Sequence, residues 1–216
     1  FFRVRIESPF TFDHLQLRTH VDLDDLKSGF SASVWRATAK EVVRRSVPDA
    51  GWIVDADSDP NFFYVWFGGE MTDFTQMVFR LSAAVHETIH HVGFEHMTFN
   101  GSGFDMALAL GKESFFSAPS MGLFPRSEIL NSLPPDMQSL GYASTYLTGG
   151  SGGQDLVSLL DEFNAYTFTT LVDTAILPYM TGLASCSSRD GVLAMMLFTE
   201  EYLRVAREQH PGDYIK

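Results

Sequence analysis

The sequence predicts an α+β fold on three observations. Short apolar runs in the first third have the length and composition of strands, a long and almost wholly apolar helical stretch follows them, and two more long helical patterns fill the last third. The chain has 216 residues, 45% hydrophobic and 13% aromatic, enough for a sizeable core. A chain of this length is expected to form a single unit, 1–216, built as two lobes of about 1–93 and about 94–216 with a cleft between them.

In order along the chain, residues 2–6 alternate apolar and basic side chains, as a half-buried strand does. Residues 31–46 read as a helix with Trp35, Ala39, Val42 and Val43 on one face. Arg44 and Arg45 suit its last turn, where the helix dipole favours cations, and Pro48 stops it. Residues 52–54 and 62–67 read as strands, the second apolar on both sides. With residues 2–6 they would make a small twisted N-terminal sheet packed with helix. Between them, Asp55-Ala56-Asp57-Ser58-Asp59 superficially resembles a calcium loop. Pro60 and Trp66 occupy the positions that need Gly and Glu, so the run is read as an acidic turn.

Gly68-Gly69 breaks the pattern, and Asp73 with Gln76 three residues on forms a helix cap. Phe74, Met77, Val78, Leu81, Val85, Ile89 and Val92 follow at helical spacing, and Gly93 is the expected stop. Residues 94–153 are rich in Gly, Ser, Pro and Phe, with a short helical hint at 104–110. About 60 residues of so little periodicity are expected to line a binding site. Their last part, Gly149-Gly150-Ser151-Gly152-Gly153, reads as a mobile loop at the cleft rim. Helices expected over 154–177 and 188–209, ended by Pro178 and Pro211, make the C-terminal lobe mostly helical.

Fifteen basic against twenty-seven acidic residues give a formal charge of −12. Such a chain repels nucleic acid and anionic lipid, and cationic or neutral polypeptide partners fit it better. No apolar run approaches the roughly 18–20 residues of a membrane span. Cys186 is the single cysteine, so no internal disulfide forms, and it reads as a small packed residue. The chain opens on Phe1 and reads as a processed product. A secreted or exported bacterial protein is therefore expected, with a cytoplasmic one as the alternative. No sequence feature speaks to the oligomeric state.

The chemistry concentrates in His86-Glu87-Thr88-Ile89-His90. One helical turn separates the histidines, so both imidazoles project from one side and can bind a single Zn2+, with Glu87 beside them as general base toward the attacking water. Imidazole and carboxylate groups in so apolar a helix are costly unless paired or metal-bound. A catalytic zinc site needs a third protein ligand and an open position.

Two residues compete for that third place. His86-Glu87-Thr88-Ile89-His90-His91-Val92-Gly93-Phe94-Glu95-His96 resembles the metzincin signature, which would make His96 the ligand after a turn at Gly93. Pro119-Ser120-Met121-Gly122 would supply that family's methionine turn, although it lacks the usual Ser-x-Met order. Glu162-Phe163-Asn164-Ala165-Tyr166-Thr167-Phe168 resembles the E-F-x-A-x-x-F helix of gluzincin peptidases, in which the glutamate is the third ligand. A carboxylate in the middle of a long apolar helix needs a partner, so Glu162 is favoured and His96 is the alternative.

His91 is out of phase with His86 and His90 and reads as a supporting or surface group. Asp161 and Asn164 would orient a ligand imidazole or simply pack. Tyr146 and Tyr166, with Tyr142 and Arg126, are candidates for contacting substrate or its transition state. The resemblance implies a zincin-like α+β fold with a zinc cleft. It further implies a zinc-dependent metalloendopeptidase acting on polypeptides. The alternative is a non-catalytic zincin-fold module that binds protein, for which Glu87 would have no use.

Overall fold

A computed structural model describes residues 20–49, 51–100, 103–111, 114–119, 122–180 and 188–215. The strand expected at 2–6, the Ser120-Met121 pair and Cys186 lie outside these residues. The architecture is α+β. Five helices come first: α1 Asp24–Ser28, α2 Trp35–Ser46, α3 Ile53–Ala56, α4 Phe62–Val65 and the 22-residue α5 Phe74–Glu95. Three strands follow, β1 Thr98–Asn100, β2 Gly103–Leu110 and β3 Ser114–Pro119. A 3-10 segment Arg126–Ser132 then leads into α6 Pro135–Gln138, α7 Gly141–Tyr146, α8 Gly149–Gly152, α9 Leu156–Ile176, α10 Ser188–Gln209 and α11 Pro211–Tyr214. No helix among the described residues is long and apolar enough to cross a membrane.

The two runs read as strands, 52–54 and 62–67, are helical instead. The burial pattern gives the reason. Phe63 and Phe67 are each 1% exposed while Val65 between them is 64% exposed. A strand would place 63, 65 and 67 on one face; a helical turn places 63 and 67 together and sends 65 outward. Among the described residues the small sheet therefore lies after α5 and not before it. It is antiparallel in the order β1-β2-β3.

Its central strand covers the stretch expected to be helical at 104–110. Met106 pairs Ala118 and Leu108 pairs Phe116. Met106, Leu108 and Ala118 face Val157 at the start of α9, whereas Ala109 on the opposite face joins the main core. That alternation is the period of a half-buried strand. The Gly149–Gly153 run, expected to be a loop, forms the single turn α8 followed by Gly153.

Side-chain caps account for the starts of the two helices that carry the site, of which the one at Asp73 is legible in the sequence. Asp73 accepts a hydrogen bond from the Gln76 N–H at 2.8 Å, and Asp155 accepts one from the Val157 N–H at 3.1 Å, so each caps a long helix. Gly93 does not end α5, which continues to Glu95. Its role is close approach: a Cβ at that position would lie 2.8 Å from the Ala107 carbonyl oxygen of β2. Asn164 of α9 ties the same strand down. Its carbonyl accepts from the Ala109 N–H at 3.1 Å, and its amide donates to the Ala109 carbonyl at 2.8 Å.

The main core joins α2, α5 and α9 through Val42, Val43, Leu81, Val85, Ile89, Phe168, Val172 and Ile176, drawing on residues from both sides of position 93. A second cluster gathers Ile129, Ala143 and Tyr146 with Leu159 of α9 and with Met195, Phe198 and Tyr202 of α10. Helix α9 belongs to both clusters: it packs on α5 through the first and on α10 through the second.

Candidate metal centre

His86 and His90 lie on the face of α5 that meets α9, and Glu162 faces them from α9. The His86 and His90 Nε2 atoms are 3.2 Å apart, and Glu162 Oε2 is 3.5 Å from the first and 3.4 Å from the second. A tetrahedral zinc site with arms of about 2.0–2.1 Å has edges of about 3.3–3.4 Å. The three protein atoms thus form one face of such a tetrahedron to within about 0.2 Å. Glu162 Oε2 is buried and accepts no hydrogen bond. A buried carboxylate oxygen without a donor, converging with two imidazole nitrogens, is a donor set suited to a borderline cation such as Zn2+.

The next layer fixes the rings. Asp161 Oδ2 accepts from His90 Nδ1 at 2.7 Å, which aims Nε2 at Glu162 and His86. Burial opposes charge on His90, but Asp161 and Glu162 outweigh it and push the metal-free imidazole up to about 10. Burial likewise opposes ionisation of Glu162, yet the adjacent His86 and His90 bring it down to about 2. Without metal, then, a proton on His90 serves as the counter-charge to Glu162. A divalent ion would take over that role and release the proton.

Glu87 follows His86 on α5, half-buried, about 100° further round the helix. On the opposite wall the Tyr166 ring stands edge-on to the His86 imidazole at 4.5 Å, and its hydroxyl lies 2.8 Å from that of Tyr146. Burial, the Glu162 carboxylate and the Tyr166 hydroxyl all push the Tyr146 phenol up, so it remains a hydrogen-bond donor. Behind Tyr146 sits Arg126, fully buried, its guanidinium 5.7 Å from the Tyr146 ring centroid. Its Nε donates to the Ser151 carbonyl at 2.9 Å, Nη2 bonds the Ser151 hydroxyl, and Nη1 has no partner. Burial pulls its pKa down against the attraction of Glu162. Tyr142 completes the aromatic wall at 5.9 Å from Tyr166.

The other sequence-derived positions separate cleanly. His96 does not join His86, His90 and Glu162. Its Nδ1 donates to the Val92 carbonyl at 3.0 Å and its ring stacks on Phe115 at 4.4 Å, so it closes the end of α5. Asn164 binds β2 and no imidazole. His91 points away from the cluster and pairs with Asp57 at 2.9 Å, stacked under Phe62 at 3.9 Å, while Glu95 holds the Ser58 N–H at 3.0 Å. These contacts clamp the acidic turn to α5. Surface hollows of about 490 Å³ beside Trp35 and Tyr64, and about 320 Å³ between β3 and α10, include none of the cluster residues in their linings.

Sequence reasoning missed Gly191. A Cβ there would lie 2.2 Å from Tyr166 Cδ1. No sequence signal marks it, because the contact joins two helices 25 positions apart. No known protein family, curated protein or solved structure matches this chain.

Proposed function

We propose that the protein is a zinc-dependent metalloendopeptidase of zincin-like, gluzincin-like build, with His86, His90 and Glu162 as the metal-holding residues and a polypeptide as substrate. The observation that carries this reading is the triangle of His86 Nε2, His90 Nε2 and Glu162 Oε2, spaced as one face of a zinc tetrahedron and built on an H-E-x-x-H helix. Among the described residues three ligands converge, which suits a catalytic rather than a closed structural site.

Bound there, Zn2+ would supply a Lewis acid and make water acidic enough to react near neutral pH. The rest of the chemistry belongs to the chain. Glu87 takes the proton of the attacking water and hands it to the amine of the departing peptide half. Asp161 keeps the His90 ring oriented throughout. With the Tyr166 hydroxyl donating to that of Tyr146, Tyr146, kept protonated, has its own O–H to offer the carbonyl oxygen as it gains charge. Arg126 places a buried positive charge behind them. No serine or cysteine nucleophile enters the scheme. The net charge of −12 favours cationic or neutral peptide segments over acidic ones.

Zinc titration into chelator-treated protein, followed by hydrolysis of an unstructured casein-like substrate, tests the reading. Glu87→Gln should bind one zinc as the wild type does and lose at least about 100-fold in kcat. Full activity in that variant overturns the mechanism. Zinc binding by the wild type with no turnover across a broad peptide library would favour the protein-binding module instead.

A further inference from the structure

We infer that Gly191, on a helix that contributes no metal-holding residue, is a positioning residue of the metal centre; the inference rests on the metallopeptidase reading above. Gly191 is buried in the first turns of α10, where that helix packs along α9. The space its missing side chain leaves is filled by the Tyr166 ring. A Cβ would stand 2.2 Å from Cδ1, 2.3 Å from Cε1 and 2.8 Å from Cγ of that ring. These are rigid ring atoms close to the backbone, not the free end of a flexible chain, so any larger residue must move the whole ring.

The ring has little room to move. On its other side it meets the His86 imidazole edge-on at 4.5 Å, and its hydroxyl is held 2.8 Å from that of Tyr146. Tyr166 is thus gripped between α10 and α5. Gly is found here although it costs helix stability relative to Ala, because the added methyl would meet the Tyr166 ring. Two consequences follow from the one contact. The His86 ring keeps its tilt toward His90 and Glu162, because Tyr166 fills the space into which it would otherwise turn. The Tyr166 hydroxyl, donating to that of Tyr146, also fixes the direction in which the Tyr146 O–H is offered to the reacting carbonyl. Gly191 touches neither metal nor substrate and acts wholly through Tyr166.

Gly191→Ala, Tyr166→Ala and the double variant test this. In chelator-treated protein, the His86 ring resonance in proton–carbon NMR should shift in Gly191→Ala, while that of His96, stacked on Phe115, stays in place. Zinc affinity should fall about tenfold, as for other residues that orient a metal-binding ring. Hydrolysis should lose kcat with little change in KM. In the Tyr166→Ala background, where neither ring nor Cγ remains to be displaced, Gly191→Ala should add nothing further. If Gly191→Ala fails to fold, the double variant should restore folding. An unmoved His86 resonance, or an undiminished effect of Gly191→Ala in the Tyr166→Ala background, overturns the inference. A wild-type protein that takes up no zinc would instead overturn the metallopeptidase reading, and the NMR comparison would still judge Gly191.

Discussion

Asp161 on α9 accepts a hydrogen bond from His90 on α5 at 2.7 Å, and the adjacent residue on α9, Glu162, faces the opposite nitrogen of the same ring at 3.4 Å. Two neighbouring carboxylates therefore bracket one imidazole. One orients the ring through Nδ1, and the other lies against Nε2. The Asp161 side chain is 9% exposed, so water does not replace it readily.

This arrangement predicts graded losses on removing Asp161. Asn can still accept from His90 Nδ1 but brings no charge, and Ala does neither. Zinc affinity, measured by competition with a fluorescent chelator, should fall about tenfold in Asp161→Asn and nearer 100-fold in Asp161→Ala. Wild-type affinity in both variants would reduce Asp161 to a packing residue.

Glu162 and His96 make opposite predictions for the third ligand. Glu162→Ala removes one corner of the triangle, and the protein should emerge from gel filtration with far less than one zinc per chain. His96→Ala should keep its zinc, because its ring is engaged with Val92 and Phe115. It should cost only stability, of order 1 kcal/mol, for the lost helix-end hydrogen bond. Elemental analysis of the two variants side by side decides the matter, and the reverse result would bring back the metzincin-like arrangement.

The convergence of His86, His90 and Glu162 is more legible in the sequence than the fold around it, for a physical reason. His86, His90 and Glu162 stand on long helices whose caps, Asp73 and Asp155, and apolar periodicity fix the phase of each side chain. Helix α10 was readable to its end residues, Ser188 and Gln209, for the same cause. Short apolar runs carry no such phase. Residues 62–67 suit a strand or a helical turn equally until packing selects Phe63 and Phe67 for the core. Residues 104–110 misled in the other direction, because alanine and leucine favour helices in isolation. Pairing with β3 and the amide of Asn164 supply the partners that made a strand. Gly93 shows how one residue fits two accounts. Its position suits a turn, but its function is to let the Ala107 carbonyl approach α5. Contacts of that kind join distant segments, and nothing in the linear order of residues announces them.

Asp173 predicts a pH dependence independent of the metal. Its carboxylate lies among α5, α9 and α10, accepting from the Ser82 hydroxyl at 2.5 Å and the Ser188 hydroxyl at 2.6 Å. Burial pushes its pKa up, and the two hydroxyls recover only part of the shift. An acid whose folded pKa exceeds its unfolded value, about 3.9, binds its proton more tightly in the folded state. Its stabilising contribution is complete below the unfolded value and disappears as pH rises through the folded one. At neutral pH the ionised carboxylate therefore weakens the fold, and Asp173→Asn removes that cost while keeping an acceptor for one serine and a donor for the other. Urea midpoints of chelator-treated protein should show the advantage of Asp173→Asn over wild type growing between about pH 4 and pH 7. A gap that stays constant or shrinks across that range would mean that the two serine hydroxyls outweigh burial and that Asp173 is a stabilising anion.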